Sequence, residues 1–313
     1  MSALQRLGIA PSTPNAGPGS DAQRQTEAAF SFKWGKRSTY ESPAVQESSR
    51  QWLFERYCGG DERLLDHWLE GGRKLIVDAG CGAGFSALLF FGDRLSRHDY
   101  LGIDISDAVE VARARFAERG IPGDFLQAGV VEAPLQDESV DLIFSEGVLH
   151  HTDSTERSLK HLARKLKSGG RFLFYVYARK AVIREFTDDF IREQLRPLND
   201  EEAWRALESL TKLGIALGQL GVEITIPEPI PFLGIPAGPI DLQRFVYWNI
   251  CKLYYRPEWT ADEMNHVNFD WFRPLNCHRQ TPEEVQRWCR EADLAIERLD
   301  IQEAGITVVA RRR

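Results

Sequence analysis

The chain has 313 residues, 43% hydrophobic and 27% charged, with a formal net charge of −7. That balance is globular and suits one large domain or two modest ones. An acidic chain without a long Lys/Arg run argues against a nucleic-acid substrate, because phosphate recognition needs basic surface.

No stretch reaches the roughly 18 consecutive apolar residues of a membrane span, and the first 20 residues lack the apolar centre of a signal peptide. The five cysteines, Cys58, Cys81, Cys251, Cys277 and Cys289, form no CxxC pair. They fit a reducing compartment and carry no zinc spacing. The expectation is a cytoplasmic protein without a metal site; the oligomeric state is left open.

Residues 1–25 are rich in Ser, Pro, Gly, Asn and Gln, a composition that predicts a disordered lead. Residues 26–72 are expected to form an N-terminal helical segment, with helices over 43–58 and 61–70. Its aromatic residues Phe32, Trp34 and Tyr40 suit a lid, with Trp34 able to face a cation.

Short apolar runs then alternate with amphipathic segments. Strands are predicted at 74–79, 100–103, 124–128, 140–145 and 171–177. Helices are predicted at 85–95, 107–119 (with Ser106 as N-cap) and 154–167, the last stopped by Ser168-Gly169-Gly170. The alternation predicts right-handed βαβ units and a doubly wound α/β fold. Residues 180–280 interrupt it. The stretch 181–219 reads as helical, 224–242 is too rich in Pro and Gly for a regular helix, and 241–256 suits a helix. Thr281, Pro282 and Glu284 carry capping-box spacing for a helix reaching about 292, and strands follow at 294–300 and 306–310. The expected organisation is an α/β core over 73–179 and 281–313, with 180–280 as an inserted substrate cap.

The sharpest local signal is Val77-Asp78-Ala79-Gly80-Cys81-Gly82-Ala83-Gly84, between a predicted strand and a predicted helix. Glycines permit positive φ and close ligand approach, and the helix start offers free N–H groups. A bare tight turn would explain the glycines alone. Asp78 before the turn and Asp104 at the end of the next strand add to it, since a carboxylate there can accept two ribose hydroxyls. The third glycine falls one position earlier than in a dinucleotide fingerprint. The leading acid suits a cationic ligand better than a pyrophosphate.

These residues resemble the class I S-adenosylmethionine-dependent methyltransferases. The likeness extends through Pro134-Leu135, Ser139–Phe144, Glu146–His151 and Ser168–Phe172. The resemblance implies a seven-stranded, mostly parallel sheet of order 3-2-1-4-5-7-6, with strand 7 antiparallel. It implies S-adenosylmethionine as cofactor, held by Asp78, Gly80, Cys81, Gly82 and Gly84 around the methionine end, Asp104 on the ribose and Ile105 against adenine. Ser145 and Glu146 would line the tail near the transferred methyl. The family's acidic adenine contact has no counterpart here, because its position is Gly129.

Candidate proton acceptors are His150 and His151, with Glu146 and His278 beside them and His266 as a further rival; a packing role is open for each. Candidate substrate contacts are Tyr175, Tyr177, Asn268, Asp270, Trp271 and Arg273, with a structural role in the cap as the alternative. The function expected is methyl transfer to a small-molecule nucleophile. Non-methylating use of the same cofactor and a non-catalytic cofactor-binding protein stand as alternatives.

Overall fold

The computed structural model describes residues 3–9 and 19–313. Four helices, α1 (Ala3–Leu7), α2 (Asp21–Gly35), α3 (Pro43–Cys58) and α4 (Glu62–Trp68), lead into β1 (Leu75–Ala79). Then come α5 (Phe85–Phe90), β2 (Asp99–Asp104), α6 (Ala108–Glu118), β3 (Asp124–Gln127), β4 (Val140–Glu146), α7 (Thr155–Lys165) and β5 (Leu166–Tyr177). The inserted stretch holds α8 (Val182–Leu195), α9 (Asp200–Leu220), β6 (Glu223–Ile226), β7 (Gly238–Asp241), α10 (Leu242–Asn249) and α11 (Ala261–Phe272). The chain ends with α12 (Pro282–Glu291), β8 (Leu294–Ile301) and β9 (Gly305–Arg312). It divides into two compact units: Met1–Gly35 with Gln46–Ala178 and Asn276–Arg313, and Lys36–Val45 with Arg179–Leu275.

The first unit is built on a seven-stranded sheet of order β3-β2-β1-β4-β5-β9-β8. β1 to β5 pair in parallel, and β9 runs antiparallel to both β5 and β8. This is the order that the resemblance implied. Every residue of β1 and β2 is buried, as expected of strands covered on both faces. Alternate side chains serve two cores: Val77, Ile103, Ile143 and Phe172 on one face, Ile76, Tyr100, Phe144 and Leu173 on the other.

Several sequence expectations need correction here. Residues 3–9 and 19–25 are not a disordered lead. Leu4, Leu7 and Ile9 join the core, Leu4 N donates to Asp124 at 2.9 Å, and α2 already begins at Asp21. Residues 10–18 lie outside the described residues. The N-cap of α6 is Asp107, while Ser106 Oγ donates to Asp104 at 2.6 Å and accepts from Ala108 N at 3.4 Å. The glycines at 169 and 170 do not separate helix from strand; β5 runs through them from Leu166.

In the second unit α9 packs on α11, and both begin with a capping box, Asn199 with Glu202 and Thr260 with Glu263. The Pro-rich stretch forms no α-helix, as expected, and only a short 3-10 turn at Pro231–Leu233; its ends pair as the β6–β7 hairpin. The helix expected over 241–256 stops at Asn249. Helix α8 is inverted relative to an ordinary surface helix. It buries Arg184, Asp188 and Arg192 and exposes Val182, Phe186 and Phe190.

Candidate active site

The site lies in the first unit, at the carboxyl ends of β1, β2 and β4, where ligands gather in open α/β sheets. The loop after β1 carries Gly80, Gly82 and Gly84 at φ of 90°, 48° and 69°, all in the region where a side chain is strained. Gly82 is also sterically required: a Cβ there would stand 2.6 Å from the indole Nε1 of Trp34. At Gly80 the same atom would run into the Val148 side chain. Gly80 N and Cys81 N both donate to Ile103 O, at 2.7 and 2.9 Å, which ties the loop to β2.

Asp104 ends β2 and is held from three directions. Its Oδ2 accepts from Gly82 N at 2.8 Å, and its Oδ1 accepts from Ser106 N at 2.9 Å and Ser106 Oγ at 2.6 Å. Burial pushes its carboxyl upward in pKa, and those donors together with the Lys33 charge oppose the shift. Asp78 is buried and accepts from the Tyr100 hydroxyl at 2.7 Å. Burial raises its pKa to about 7 against the Tyr100 hydrogen bond, helped by the charges of Asp104 and Glu146. Glu27 on α2 is raised by burial and by Asp104 and Asp107.

Glu146 ends β4. Its Oε1 accepts from Arg56 Nη1 at 2.8 Å and its Oε2 from the Tyr57 hydroxyl at 2.5 Å. Burial raises its pKa while Arg56 and Tyr57 hold it down. The guanidinium of Arg56 also lies 4.2 Å from the Tyr175 ring centre. Glu146 is thus paired on both oxygens and poorly placed to serve as a lone base. Ser145 Oγ donates to Ala79 O at 2.8 Å and so ties β4 to β1.

The two histidines follow β4 in a short 3-10 turn and are both buried. His150 lies against Tyr177 with ring centres 3.8 Å apart, and its carbonyl accepts from His278 N at 2.9 Å. His151 Nδ1 is 2.6 Å from Asn276 O. A carbonyl can only accept, so Nδ1 carries the hydrogen and Nε2 is the basic nitrogen. Phe30 of α2 packs edge-on against this ring, 4.9 Å between centres. The side chain of His278 is exposed.

Trp34 is half-buried on α2 beside Gly82, with Lys33 Nζ 4.0 Å from its ring centre. Ile105 is half-buried just beyond Asp104, and Gln127 Nε2 donates to its carbonyl at 3.2 Å. The Glu132 carboxylate folds into the space that a side chain on residue 129 would fill. An acid therefore reaches the place where Gly129 lacks one. Its signal in sequence was only an acidic residue three positions downstream. Arg56 and Tyr57 were not anticipated either, since nothing local marks a helix residue as the partner of a strand end 90 and 89 positions away.

The remaining candidates belong to the second unit, where Asn268, Trp271, Arg273 and His266 have partners within that unit. Asn268 Oδ1 accepts from Tyr254 N and its Nδ2 donates to Thr211 Oγ1. Trp271 Nε1 donates to Asp188 at 2.8 Å. Arg273 donates to Asp200 and to Leu195 O. His266 Nδ1 meets Thr39 Oγ1 at 2.7 Å, and Asp270 is half-buried on α11.

The first-unit residues fit a cationic nucleoside. Asp78, Asp104 and Glu146 bring three carboxyl groups to adjacent strand ends, and Asp78 is raised partly by the other two. A positive ligand relieves that crowding, whereas a pyrophosphate would add to it.

Residues 77–174 match the methyltransferase domain family. Among curated relatives, a protein of Encephalitozoon cuniculi named as a methyltransferase is 35% identical over 141 residues, 43% of this chain and 60% of that protein. The malonyl-[acyl-carrier protein] O-methyltransferase of Erwinia pyrifoliae is 32% identical over 123 residues, 37% of this chain and 43% of that protein. The tRNA U34 carboxymethyltransferase of Saccharophagus degradans is 25% identical over 154 residues, 48% of this chain and 45% of that protein. Each match spans less than two-thirds of the relative. The family match lies on the strands and loop that build the site, so over residues 77–174 the chain is similar to the methyltransferase domain.

Proposed function

We propose that the protein transfers a methyl group from S-adenosylmethionine to a small-molecule nucleophile. The observation that carries this reading is the convergence of Asp78 and Asp104 on the glycine loop, one carboxylate at each of two neighbouring strand ends. When bound, the cofactor supplies an electrophilic methyl group on a sulfonium. Asp104, fixed by Gly82 and Ser106, would receive the ribose hydroxyls through the acceptor capacity left on Oδ2. Asp78 would face the cationic amino-acid end, and Glu132 the adenine amino group.

Arg56 and Tyr57 pair with and orient Glu146, so its role in this reading is to hold the site's shape. Positioning is the largest contribution open to such a site, roughly 7–11 kcal/mol of barrier. For an acceptor that carries a proton, His151 is the base we favour, since its tautomer is set by Asn276 O. A base in that role contributes about 10²–10⁴-fold.

The small-molecule part rests on the acidic chain and on the buried aromatic surroundings of His150, Tyr175 and Tyr177. A cytoplasmic setting belongs to the same reading; all five cysteines are free, and no described helix is long and apolar enough to cross a membrane.

The test is transfer of labelled methyl from the cofactor into a panel holding small oxygen, nitrogen, sulfur and carbon nucleophiles together with bulk tRNA. Label in a small molecule and none in tRNA is expected. Label in tRNA alone would overturn the acceptor class. Release of methylthioadenosine without any acceptor would instead favour non-methylating chemistry, and cofactor binding without turnover a non-catalytic role.

A further inference from the structure

The second unit holds a cluster that the methyl-transfer reading does not use. Arg184 on α8 is 1% exposed, and Asp188, one turn later, is fully buried. Arg184 Nε donates to Asp188 Oδ2 at 3.2 Å. Asp188 also accepts from Trp271 Nε1 at 2.8 Å and from Lys252 N at 3.1 Å, so its acceptor capacity is largely spent. The Arg184 guanidinium carbon lies 4.7, 5.5 and 5.3 Å from the ring centres of Tyr247, Trp248 and Trp271. Among the described residues, Arg184 Nη1 is buried and has no acceptor within hydrogen-bond reach.

Charge points the same way. Arg184, Arg192 and Lys252 are buried cations, and the buried Asp188 pairs with Arg184. Arg192 and Lys252 also lie 5.0 and 4.9 Å from the Trp271 ring centre. Arg192 pairs with the half-exposed Asp189 at 2.6 Å and donates to Trp271 O at 3.2 and 3.1 Å. A buried guanidinium that keeps an unmet donor is costly unless something accepts from it. The inversion of α8 repeats the point, because the helix turns its charges inward while Phe186 and Phe190 stay outside. Packing alone favours the opposite arrangement.

We propose that this cluster is a binding site for an oxyanion, a carboxylate or phosphate group whose oxygen accepts from Arg184 Nη1. Lys252 and Arg192 lie beside it as further buried cations. The rings of Tyr247, Trp248 and Trp271 offer an apolar wall for the body that carries the anion. Two sources share this chemistry: a free inorganic anion, or the acid group of an aromatic or aliphatic metabolite. The site stands on the second unit's own geometry and does not depend on the cofactor reading.

The test is calorimetric titration of the full chain with inorganic phosphate, acetate, benzoate and phenyl phosphate. It is repeated on Arg184→Lys, Arg184→Met and Lys252→Met, with S-adenosylhomocysteine titrated into the same samples. Saturable binding of at least one oxyanion is expected. Affinity should fall by at least about tenfold in Arg184→Met and Lys252→Met, the loss expected of one charged hydrogen bond. Arg184→Lys should weaken binding less than Arg184→Met.

Binding by phosphate and acetate assigns the free ion. Binding confined to benzoate or phenyl phosphate assigns the metabolite source. No binding by any probe, or unchanged affinity in the Arg184 and Lys252 variants, overturns the site. If the Arg184 variants do not fold, Lys252→Met decides. S-adenosylhomocysteine binding reports separately on the proposed function, so either reading can fail alone.

Discussion

Asp78 and Asp104 share a sheet edge but differ in what surrounds them. Asp104 is ringed by three donors from Gly82 and Ser106, whereas Asp78 has the Tyr100 hydroxyl and an apolar setting that lifts it to about 7. An acid raised on folding stabilises the folded state at low pH. The contribution is full below the ordinary carboxyl value of 3.8 and is lost as pH rises through about 7. A cation beside Asp78 favours the ionised form, so cofactor binding near pH 6 should release a proton. Titrations in buffers of different ionisation enthalpy should therefore diverge at pH 6 and agree at pH 8, and affinity should rise with pH up to about 7 and then level. Buffer-independent enthalpies at both pH values would remove Asp78 from the cationic end.

Gly82 gives a second test at this scale. Alanine there must adopt φ of 48° and displace Trp34. A cost of about 1–2 kcal/mol from the backbone alone is expected, read as weakened cofactor binding and a lowered unfolding midpoint.

At the scale of elements, α3 anchors the end of β4 through Arg56 and Tyr57. Arg56→Met leaves the Glu146 carboxylate buried without its cation, which should destabilise the chain by about 3–5 kcal/mol in urea unfolding. Adding Glu146→Gln should restore much of that loss. Equal losses in the single and double variants would mean that the pair does not act as a unit. Helix α1 is a smaller element with a similar duty. Leu4 sits in the core beside β2 and β3, so Leu4→Ala should cost about 2–3 kcal/mol, whereas a loose lead would lose nothing.

The contrast between these elements explains what was legible in the sequence. Strands β1 to β5, the glycine loop and Asp104 announce themselves through local signals: short apolar runs, a run of glycines, an acid at a strand end. Arg56, Tyr57 and the α1 contacts depend on partners far along the chain, and local composition carries no trace of such pairing. The lead looked disordered because Ser and Pro outnumber the few apolar residues that anchor it. Helix α8 was recognised as a helix, yet its inverted faces were not, because periodicity gives the stripes and not which one turns inward.

For the whole molecule, one unit is an α/β layer whose strand ends carry carboxylates suited to a cation. Ligand that binds only the folded chain should stabilise it by about 2.7 kcal/mol at a hundredfold excess over Kd. The most direct measurement is calorimetric titration of the full chain and of Asp104→Ala with S-adenosylhomocysteine, and with NAD as the competing nucleotide. Saturable one-site binding of S-adenosylhomocysteine is predicted, with no binding of NAD. Affinity should fall about 100-fold or more in Asp104→Ala, the worth of two hydrogen bonds to a charged acceptor. Uptake of NAD in its place, or equal affinity in both chains, would contradict the account.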